Sequence, residues 1–195
     1  QPPENFSVYS AHLTIPPAMI TLLESGETQV DGFIDPGHVS AIIGEEGYQP
    51  IAERFKIPQV ITGFEPIEIL FAIVMILKQI NEGRGQVENA YKRIVKSEGN
   101  KHALELMKSV FELEDAPWRG IGVIPKSGLA LRAEFEAHDA SKRFNIKVEE
   151  EYSMPQGCRC GEVLRAVIYP TECPLFNCGC TPETSVGPCM VSREG

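Results

Sequence analysis

The chain has 195 residues, of which 43% are hydrophobic and 23% charged, a composition typical of globular domains rather than of disordered or fibrous chains. Acidic side chains outnumber basic ones 27 to 18, and the net charge of -9 argues against nucleic acid or anionic membranes as partners and leaves proteins or small molecules. The longest apolar run, residues 69–77, is too short to cross a bilayer, so we expect a soluble protein.

Strand and helix patterns alternate along the first part of the chain. Residues 6–10 alternate like a short strand, and the next helix is expected to begin at Pro16-Pro17 and to end before Gly26. Further strands are predicted at residues 32–34 and 59–63, and further helices end near Ile43 and cover residues 50–55 and 67–80. Because this alternation is typical of α/β folds, we predict an α/β lobe with a parallel sheet and flanking helices at residues 1–114.

The helix at residues 67–80 is apolar on nearly every face, so we expect it to be buried between the sheet and another layer. Residues 86–95 show no clear pattern. Beyond them, the sequence predicts a helix at residues 101–111, a fourth strand at 121–125, a turn at 127–129 and a helix at 130–143. We place a soft domain boundary near Glu114 and expect residues 115–195 to contain a return segment and a small cysteine-rich domain, mainly of helices and loops.

Two loops with titratable side chains follow the second and third predicted strands. They contain Asp35-Pro36-Gly37-His38 and Gly63-Phe64-Glu65-Pro66, and the carboxyl ends of neighbouring parallel strands are where α/β proteins bind ligands. His38 suits a catalytic acid–base or a metal ligand, and equally a hydrogen-bonding or helix-capping residue. Glu65 suits a site residue, and equally an acid that the helix dipole favours in a first turn. No GxGxxG or GxxxxGK[ST] motif occurs, so nucleotide binding is not predicted.

All six cysteines lie near the end of the sequence: Cys158, Cys160, Cys173, Cys178, Cys180 and Cys189. Structural disulfides are typical of small secreted domains, whereas this chain is long enough to build an ordinary core. A zinc site favours CxxC-like pairs, often with histidine, but this segment has CxC pairs and no histidine. Four thiolates in loops rich in glycine and proline suit an iron–sulfur cluster and leave two thiols for disulfide exchange. The spacing therefore favours a cluster with a redox pair, and zinc is the alternative.

Several stretches of the sequence resemble motifs of the HypD-type hydrogenase maturation factors. The cysteine segment contains CRCGEVLR, TECPLF and CTPETSVGPCMVSREG. Residues 32–40, GFIDPGHVS, resemble the GFI-x-PGHVS motif of that family, and residues 63–66 resemble its GFEP motif. Residues 118–129 resemble its WRG…SGL stretch. The resemblance extends over nearly the whole chain, and the motifs follow one another in the family's order.

The resemblance implies two α/β lobes and a small domain that holds a [4Fe–4S] cluster, of which this chain is expected to cover the second lobe and most of the cluster domain. It implies that Cys158, Cys173 and Cys180 bind the cluster, with Cys189 as a further candidate ligand. It also implies that Cys160 and Cys189 form a redox-active pair, with either of them as the alternative ligand in place of Cys158. A family cysteine just beyond the CMVS-x-EG motif is another candidate for the fourth ligand, and it lies outside this sequence. Cys178 occupies a position without an invariant cysteine in the family, so it is either a substitute for that ligand or incidental.

The same resemblance implies a cytoplasmic scaffold and electron relay, rather than a conventional enzyme, that helps to assemble the Fe(CN)2CO centre of [NiFe] hydrogenases. The implied partners are a HypC-type chaperone and a HypE-type protein. His38 and Glu65 are implied to line the cleft that holds the iron–cyanide fragment, with Pro36, Gly37 and Gly63 beside them. The family's CGTH-like, GPGCPVC and GFETT motifs do not occur in this sequence, so we do not expect it to perform maturation unaided. The alternatives are a zinc-stabilised interaction module and a generic iron–sulfur thiol oxidoreductase.

Overall fold

The computed structural model describes residues 2–145 and 154–191, and the chain divides into two compact units. Residues Val30–Val110 form the first, which we call the α/β unit. Residues Gln1–Gln29 and Phe111–Gly195 form the second, which we call the cysteine unit. The domain boundary predicted near Glu114 falls within the strand Phe111–Trp118 of the cysteine unit.

Helices and strands alternate along most of the chain. In chain order they are α1 (Ile15–Glu24), β1 (Phe33–Pro36), α2 (Gly37–Ile43), α3 (Gln49–Phe55), β2 (Gln59–Thr62), α4 (Pro66–Asn81), β3 (Val87–Asn89), α5 (Lys101–Val110), β4 (Phe111–Trp118), β5 (Gly122–Leu131), α6 (Ala140–Arg143) and α7 (Cys160–Leu164). Short 3-10 turns lie at Glu45–Gly47, Ala133–His138, Pro170–Glu172 and Pro188–Met190. None of the helices in the described ranges is long and apolar enough to span a membrane.

Three parallel strands form the centre of the α/β unit, in the order β1-β2-β3. The middle strand, β2, is buried along its whole length, and Val60 and Ile61 are inaccessible to solvent. Tyr48, just before α3, and Ile51, within it, belong to the same buried core. The structure therefore confirms the predicted parallel sheet with flanking helices.

The third strand of this sheet differs from the sequence prediction. Residues 6–10 form no strand, because Val8 makes only a single bridge, to Asp139, within the cysteine unit. The third position is taken by β3, in a segment whose pattern could not be interpreted. Three residues are too few to show alternation, so only the pairing with β2 identifies this strand.

The prediction that α4 is buried between the sheet and another layer is wrong, because among the described residues only the sheet covers it. The helix begins at Pro66, and Glu65 and Glu68 form a capping box at its start. One side packs on the sheet, and Ala72 and Gln79 are the buried residues of the helix. Most of its other apolar side chains are exposed, because the sheet covers only one side of a helix that is apolar on several sides.

The cysteine unit contains an antiparallel hairpin that the sequence only partly predicted. β4 and β5 pair along their lengths, with an irregularity between Glu114 and Ala116. The predicted helix at residues 130–143 is wrong, because β5 continues to Leu131 and is followed by a 3-10 turn and the four-residue α6. Pro117 lies in β4 and Pro125 in β5, and proline within a segment argues against a strand when only the sequence is considered. They are tolerated because both strands of a two-stranded sheet are edge strands.

The end of the cysteine unit that carries the cysteines consists of short elements and loops, as predicted. Residues 154–191 contain α7 and two 3-10 turns, joined by loops. The hairpin beside them has its own core, in which Ala18 and Met19 of α1 are buried together with Ile124 of β5. The fold class predicted from the sequence, an α/β lobe followed by a small cysteine-rich region of helices and loops, is confirmed.

Candidate cysteine site and sheet-edge loops

Four of the six cysteines line one small cavity in the cysteine unit: Cys158, Cys173, Cys180 and Cys189. The cavity has a volume of about 20 Å³, close to the space that one water molecule needs. Its remaining walls are apolar side chains, namely Val163, Pro170, Leu175, Phe176 and Met190. These four cysteines are the ones that the family resemblance implied as ligands or candidate ligands of the cluster.

Two residues hold the loop before Cys189 close to the sulfur atoms. Gly187 is buried, and a Cβ placed on it would lie 2.7 Å from Cys160 Cβ and 3.2 Å from Cys158 Sγ. Arg119, in the turn after β4, donates a hydrogen bond of 2.9 Å to the carbonyl of Val186. Neither Gly187 nor Arg119 was predicted as a site residue, because a glycine or an arginine in a loop gives no specific signal in a single sequence.

The predicted redox pair, Cys160 and Cys189, is adjacent in the structure. The backbone N–H of Cys189 donates to Cys160 Sγ at 3.2 Å, Cys160 is almost fully buried, and all six cysteines are free thiols. Burial raises the pKa of Cys189 to about 12, and a side-chain hydrogen bond with the Cys160 thiol and the nearby sulfurs of Cys160, Cys180 and Cys158 add to this effect. The Cys189 thiol therefore keeps its proton near neutral pH unless a metal ion displaces it.

Backbone N–H groups point at two of the buried sulfurs. Val186 donates to Cys180 Sγ at 3.2 Å, in the same way as Cys189 donates to Cys160. Hydrogen bonds of this kind stabilise thiolates and help to set the reduction potential of iron–sulfur sites. Cys178 differs from the other cysteines, because it is exposed, donates its S–H to the carbonyl of Pro174 at 3.2 Å and does not line the cavity.

The residues around the cavity fit the chemistry of an iron–sulfur cluster. Four cysteine thiols in an otherwise apolar wall are the donor set that a [4Fe–4S] cluster uses. In the described part of the chain, no three His, Cys, Asp or Glu side chains converge closely enough to hold a single metal ion. A cluster is larger than the present cavity, so its binding requires the surrounding loops to move outward.

In the α/β unit, the two loops predicted as a ligand site lie side by side. β1 and β2 are parallel and end at the same level of the sheet, so the loops that follow them share one edge. His38 is exposed, and its ring centre lies 5.2 Å from that of Phe64. The predicted residues Pro36, Gly37, His38 and Gly63 are thereby placed at one edge of the sheet.

Glu65 has a structural role at the start of α4. Its side chain accepts from the N–H of Glu68, and the Glu68 carboxylate accepts from the N–H of Glu65 at 3.3 Å. Glu68 also forms an ion pair of 2.6 Å with Arg93. A Cβ on Gly63 would lie 1.9 Å from the Glu68 carboxylate and 2.9 Å from the ring of Tyr91. Tyr91 and Arg93 therefore belong to this sheet edge, although their loop showed no interpretable pattern in the sequence.

Asp35 is a buried carboxyl group next to these loops. It is 1% exposed, and among the described residues its Oδ2 has no hydrogen-bond partner. Burial raises the pKa of Asp35 to about 8, so the group is mostly neutral at pH 7. Burial also raises the pKa of Tyr48 to about 12. The hydrogen bond between Tyr48 and Ser40, at 3.1 Å, lowers this pKa, and the charge of Asp35 raises it. An acid inside an otherwise apolar strand was the sequence signal that could have identified this group.

Comparisons with known proteins agree on one family. A family model described as "HypD: Hydrogenase formation hypA family" matches residues 1–195. The chain is 46% identical over 199 residues to the hydrogenase maturation factor HypD2 of Bradyrhizobium diazoefficiens, which covers 98% of this chain and 52% of that protein. It is 43% identical over 198 residues to HypD of Rhizobium leguminosarum bv. viciae, covering 98% and 51%. The chain thus spans about half the length of the curated relatives that it matches.

Proposed function

The chain belongs to the HypD family of hydrogenase formation proteins, and from this premise we propose that it acts as a scaffold and redox relay in [NiFe] hydrogenase maturation. In this proposal it helps to assemble the Fe(CN)2CO centre together with a HypC-type chaperone and a HypE-type protein. The supporting observation is the cavity lined by Cys158, Cys173, Cys180 and Cys189, with Cys160 buried against Cys189. Thiols grouped in this way suit metal binding and electron exchange, and they do not by themselves form a hydrolytic or group-transfer site.

The four cysteines that line the cavity are the residues that would hold a [4Fe–4S] cluster. When bound, such a cluster supplies one-electron redox chemistry at a potential that the protein sets. Leu175 and Met190 contribute to the apolar wall and keep water away from the sulfurs. The N–H of Val186 stabilises negative charge on Cys180.

Cys160 and Cys189 are the thiols that would exchange electrons with a partner. Conversion of two thiols to a disulfide releases two electrons and two protons, and their adjacency allows the sulfur–sulfur bond to form without large movement of the chain. Cys189 belongs to both groups, because it lines the cavity and its N–H contacts the sulfur of Cys160. It is therefore the residue at which metal binding and thiol exchange compete.

The sheet-edge loops of the α/β unit are the proposed contact for the iron–cyanide fragment. His38 is exposed there and offers a ring N–H, Pro36 ends β1 beside it, and Gly37 and Gly63 leave room for the ring of Tyr91. Cyanide nitrogens accept hydrogen bonds, which His38 is able to donate. Glu65 lies at the same edge, and its carboxylate is engaged by the capping box of α4.

The proposal is tested by the metal content of anaerobically purified protein, in the natural sequence and in two cysteine variants. We expect about four irons and four acid-labile sulfides per chain, with a matching EPR signal after reduction. Cys173→Ser removes one of the thiols at the cavity and is expected to lose most of the iron and sulfide. Cys178→Ser is the matched control, because it also removes one thiol from this segment but lies outside the cavity.

Three results would contradict the assignment. Full cluster content in Cys173→Ser would exclude that residue as a ligand. Loss of the cluster in Cys178→Ser, but not in Cys173→Ser, would show that the ligands are not the cysteines that line the cavity. About one zinc per chain, without sulfide, would identify the cysteine unit as a zinc-stabilised interaction module.

A further inference from the structure

One face of α4 is a continuous apolar surface open to solvent. Its large side chains recur at the spacing of one helix face, and the two most exposed of them are 72% and 60% accessible. We call this surface the α4 stripe, formed by Ile67, Leu70, Phe71, Val74 and Leu77. Phe64, which is 62% exposed and precedes the helix, extends the stripe toward the sheet-edge loops.

The α4 stripe is not needed to build the α/β unit. The opposite side of the helix already packs on the sheet, with Ala72 buried and Ile76 within reach of the backbone at Gly32. A second helix of the same unit, α5, has the pattern expected of a helix that faces solvent. Its exposed side chains include the polar His102, Glu105 and Lys108. The contrast between the two helices indicates that α4 carries a second apolar face for packing against something else.

The chemistry of the stripe favours a permanent partner. No charged residue occurs between residues 69 and 77. Of the two charges that flank this run on the helix, Glu68 is engaged by Arg93, and Lys78 is exposed next to Leu77. Interfaces that form and dissociate are about as polar as the rest of a protein surface, whereas permanent interfaces resemble a hydrophobic core cut in two. The composition of the stripe is that of a permanent interface.

We propose that the α4 stripe is the docking surface for the polypeptide that the curated relatives carry outside the region matched here. Those relatives are about twice as long as this chain, since it covers 52% and 51% of two of them. The occupant is expected to present an apolar helix face of its own, which packs along α4 by interlocking side-chain ridges. Because α4 follows directly on Phe64 and Glu65, the docked polypeptide would lie beside the sheet-edge loops and form the other wall of a cleft there.

The test is co-expression of this chain with the part of the Bradyrhizobium diazoefficiens HypD2 protein that lies outside the match, followed by size-exclusion chromatography with light scattering. We expect a one-to-one complex, and slower amide hydrogen exchange in α4 than in the chain alone. Phe71→Glu combined with Val74→Glu places two charges on the stripe and should weaken binding by at least about 100-fold. Leu106→Glu, on α5 of the same unit, replaces an exposed apolar residue outside the stripe and should leave binding unchanged.

Far-UV circular dichroism of each variant shows whether it is folded, and the hydrogen exchange of the unmodified chain tests the surface without any substitution. The absence of a complex, or a complex whose formation leaves α4 exchange unchanged, would overturn the proposal. A homodimer of this chain that the stripe substitutions dissociate would identify a second copy as the occupant instead. Iron content does not enter these readouts, so the docking surface and the cluster assignment fail or stand separately.

Discussion

At the scale of single residues, Asp35 shows how burial alone changes the chemistry of a side chain. The carboxyl group lies on β1, it is almost inaccessible to solvent, and its pKa rises from 3.8 to about 8. The folded chain therefore binds this proton more tightly than the unfolded chain does. It follows that the contribution of Asp35 to stability is most favourable below about pH 4 and declines as the pH rises toward 8.

Asp35→Asn is expected to remove this dependence on pH. The amide has nearly the shape of the protonated carboxyl group but cannot ionise, so it avoids a cost that grows by up to about 1.4 kcal/mol per pH unit in the unmodified chain. Amide hydrogen exchange of β2, measured at about pH 5 and about pH 7.5, reports the stability of the α/β unit itself. Between pH 5 and pH 7.5 the unmodified chain should lose stability relative to Asp35→Asn. We expect this difference in the free energy of unfolding to be at least about 1 kcal/mol. Equal pH dependence of the two proteins would show that Asp35 is ionised in the folded state.

Gly187 is the residue whose replacement should disturb the cysteine cavity most directly. Its φ of -108° suits any residue, so the effect of Gly187→Ala is steric and comes from the new Cβ near Cys160 and Cys158. We expect a loss of about 1–3 kcal/mol in the free energy of unfolding of the cysteine unit. The fluorescence of Trp118 reports this unit, because it is the only tryptophan and its ring N–H bonds Ser127 at 2.8 Å.

Gly179→Ala is the matched control for this prediction. A Cβ at Gly179 would meet only a side-chain carbon of Leu175, at 3.5 Å, which is ordinary van der Waals contact. Its effect should remain below about 0.5 kcal/mol. Equal unfolding curves for the two alanine variants would mean that the loop before Cys189 moves aside at little cost.

At the scale of elements, the sequence predicted those segments whose signals are local. α1 begins beside Pro16-Pro17 and ends before Gly26, and β2 is a short run of buried residues, so both were found within a residue or two. β4 was missed and the segment after β5 was assigned to a helix, because the strands identify themselves only by pairing with each other. The burial of α4 was mispredicted for a related reason. The sequence of a helix shows which of its faces are apolar. Whether another layer covers each of those faces depends on the rest of the fold.

The sequence was sufficient to predict that the cysteines act as a group, but it did not show how their side chains are arranged in space. Clustering of the cysteines in the sequence indicated a shared chemistry, and the fold was required to show that Cys178 lies outside the cavity. Gly187 and Arg119 shape the same site through close approach and a backbone hydrogen bond. Such contacts join residues far apart in the chain, so no local pattern records them.

At the scale of the whole molecule, the chain combines two units that each carry one group of candidate site residues. The cysteine unit holds the thiols, and the α/β unit holds the loops with His38 and Glu65. The curated relatives combine sequences similar to both units in a chain of about twice the length. The proposed function is therefore tested in a protein of that length, of which this chain matches about half.

This contribution can be measured with a chimera in which the present chain replaces the matched half of the Bradyrhizobium diazoefficiens HypD2 protein. At 46% identity over 199 residues the exchanged half is expected to keep the fold and the contacts of the original, so the chimera should restore hydrogenase activity to a strain that lacks its HypD proteins. The same chimera with Cys173→Ser should lose at least about 90% of that activity, since one thiol at the cavity is gone, whereas Cys178→Ser should retain most of it. Immunoblots for the chimera separate inactive protein from degraded protein. An active Cys173→Ser chimera, present at normal level, would show that hydrogenase maturation does not depend on the cysteine cavity.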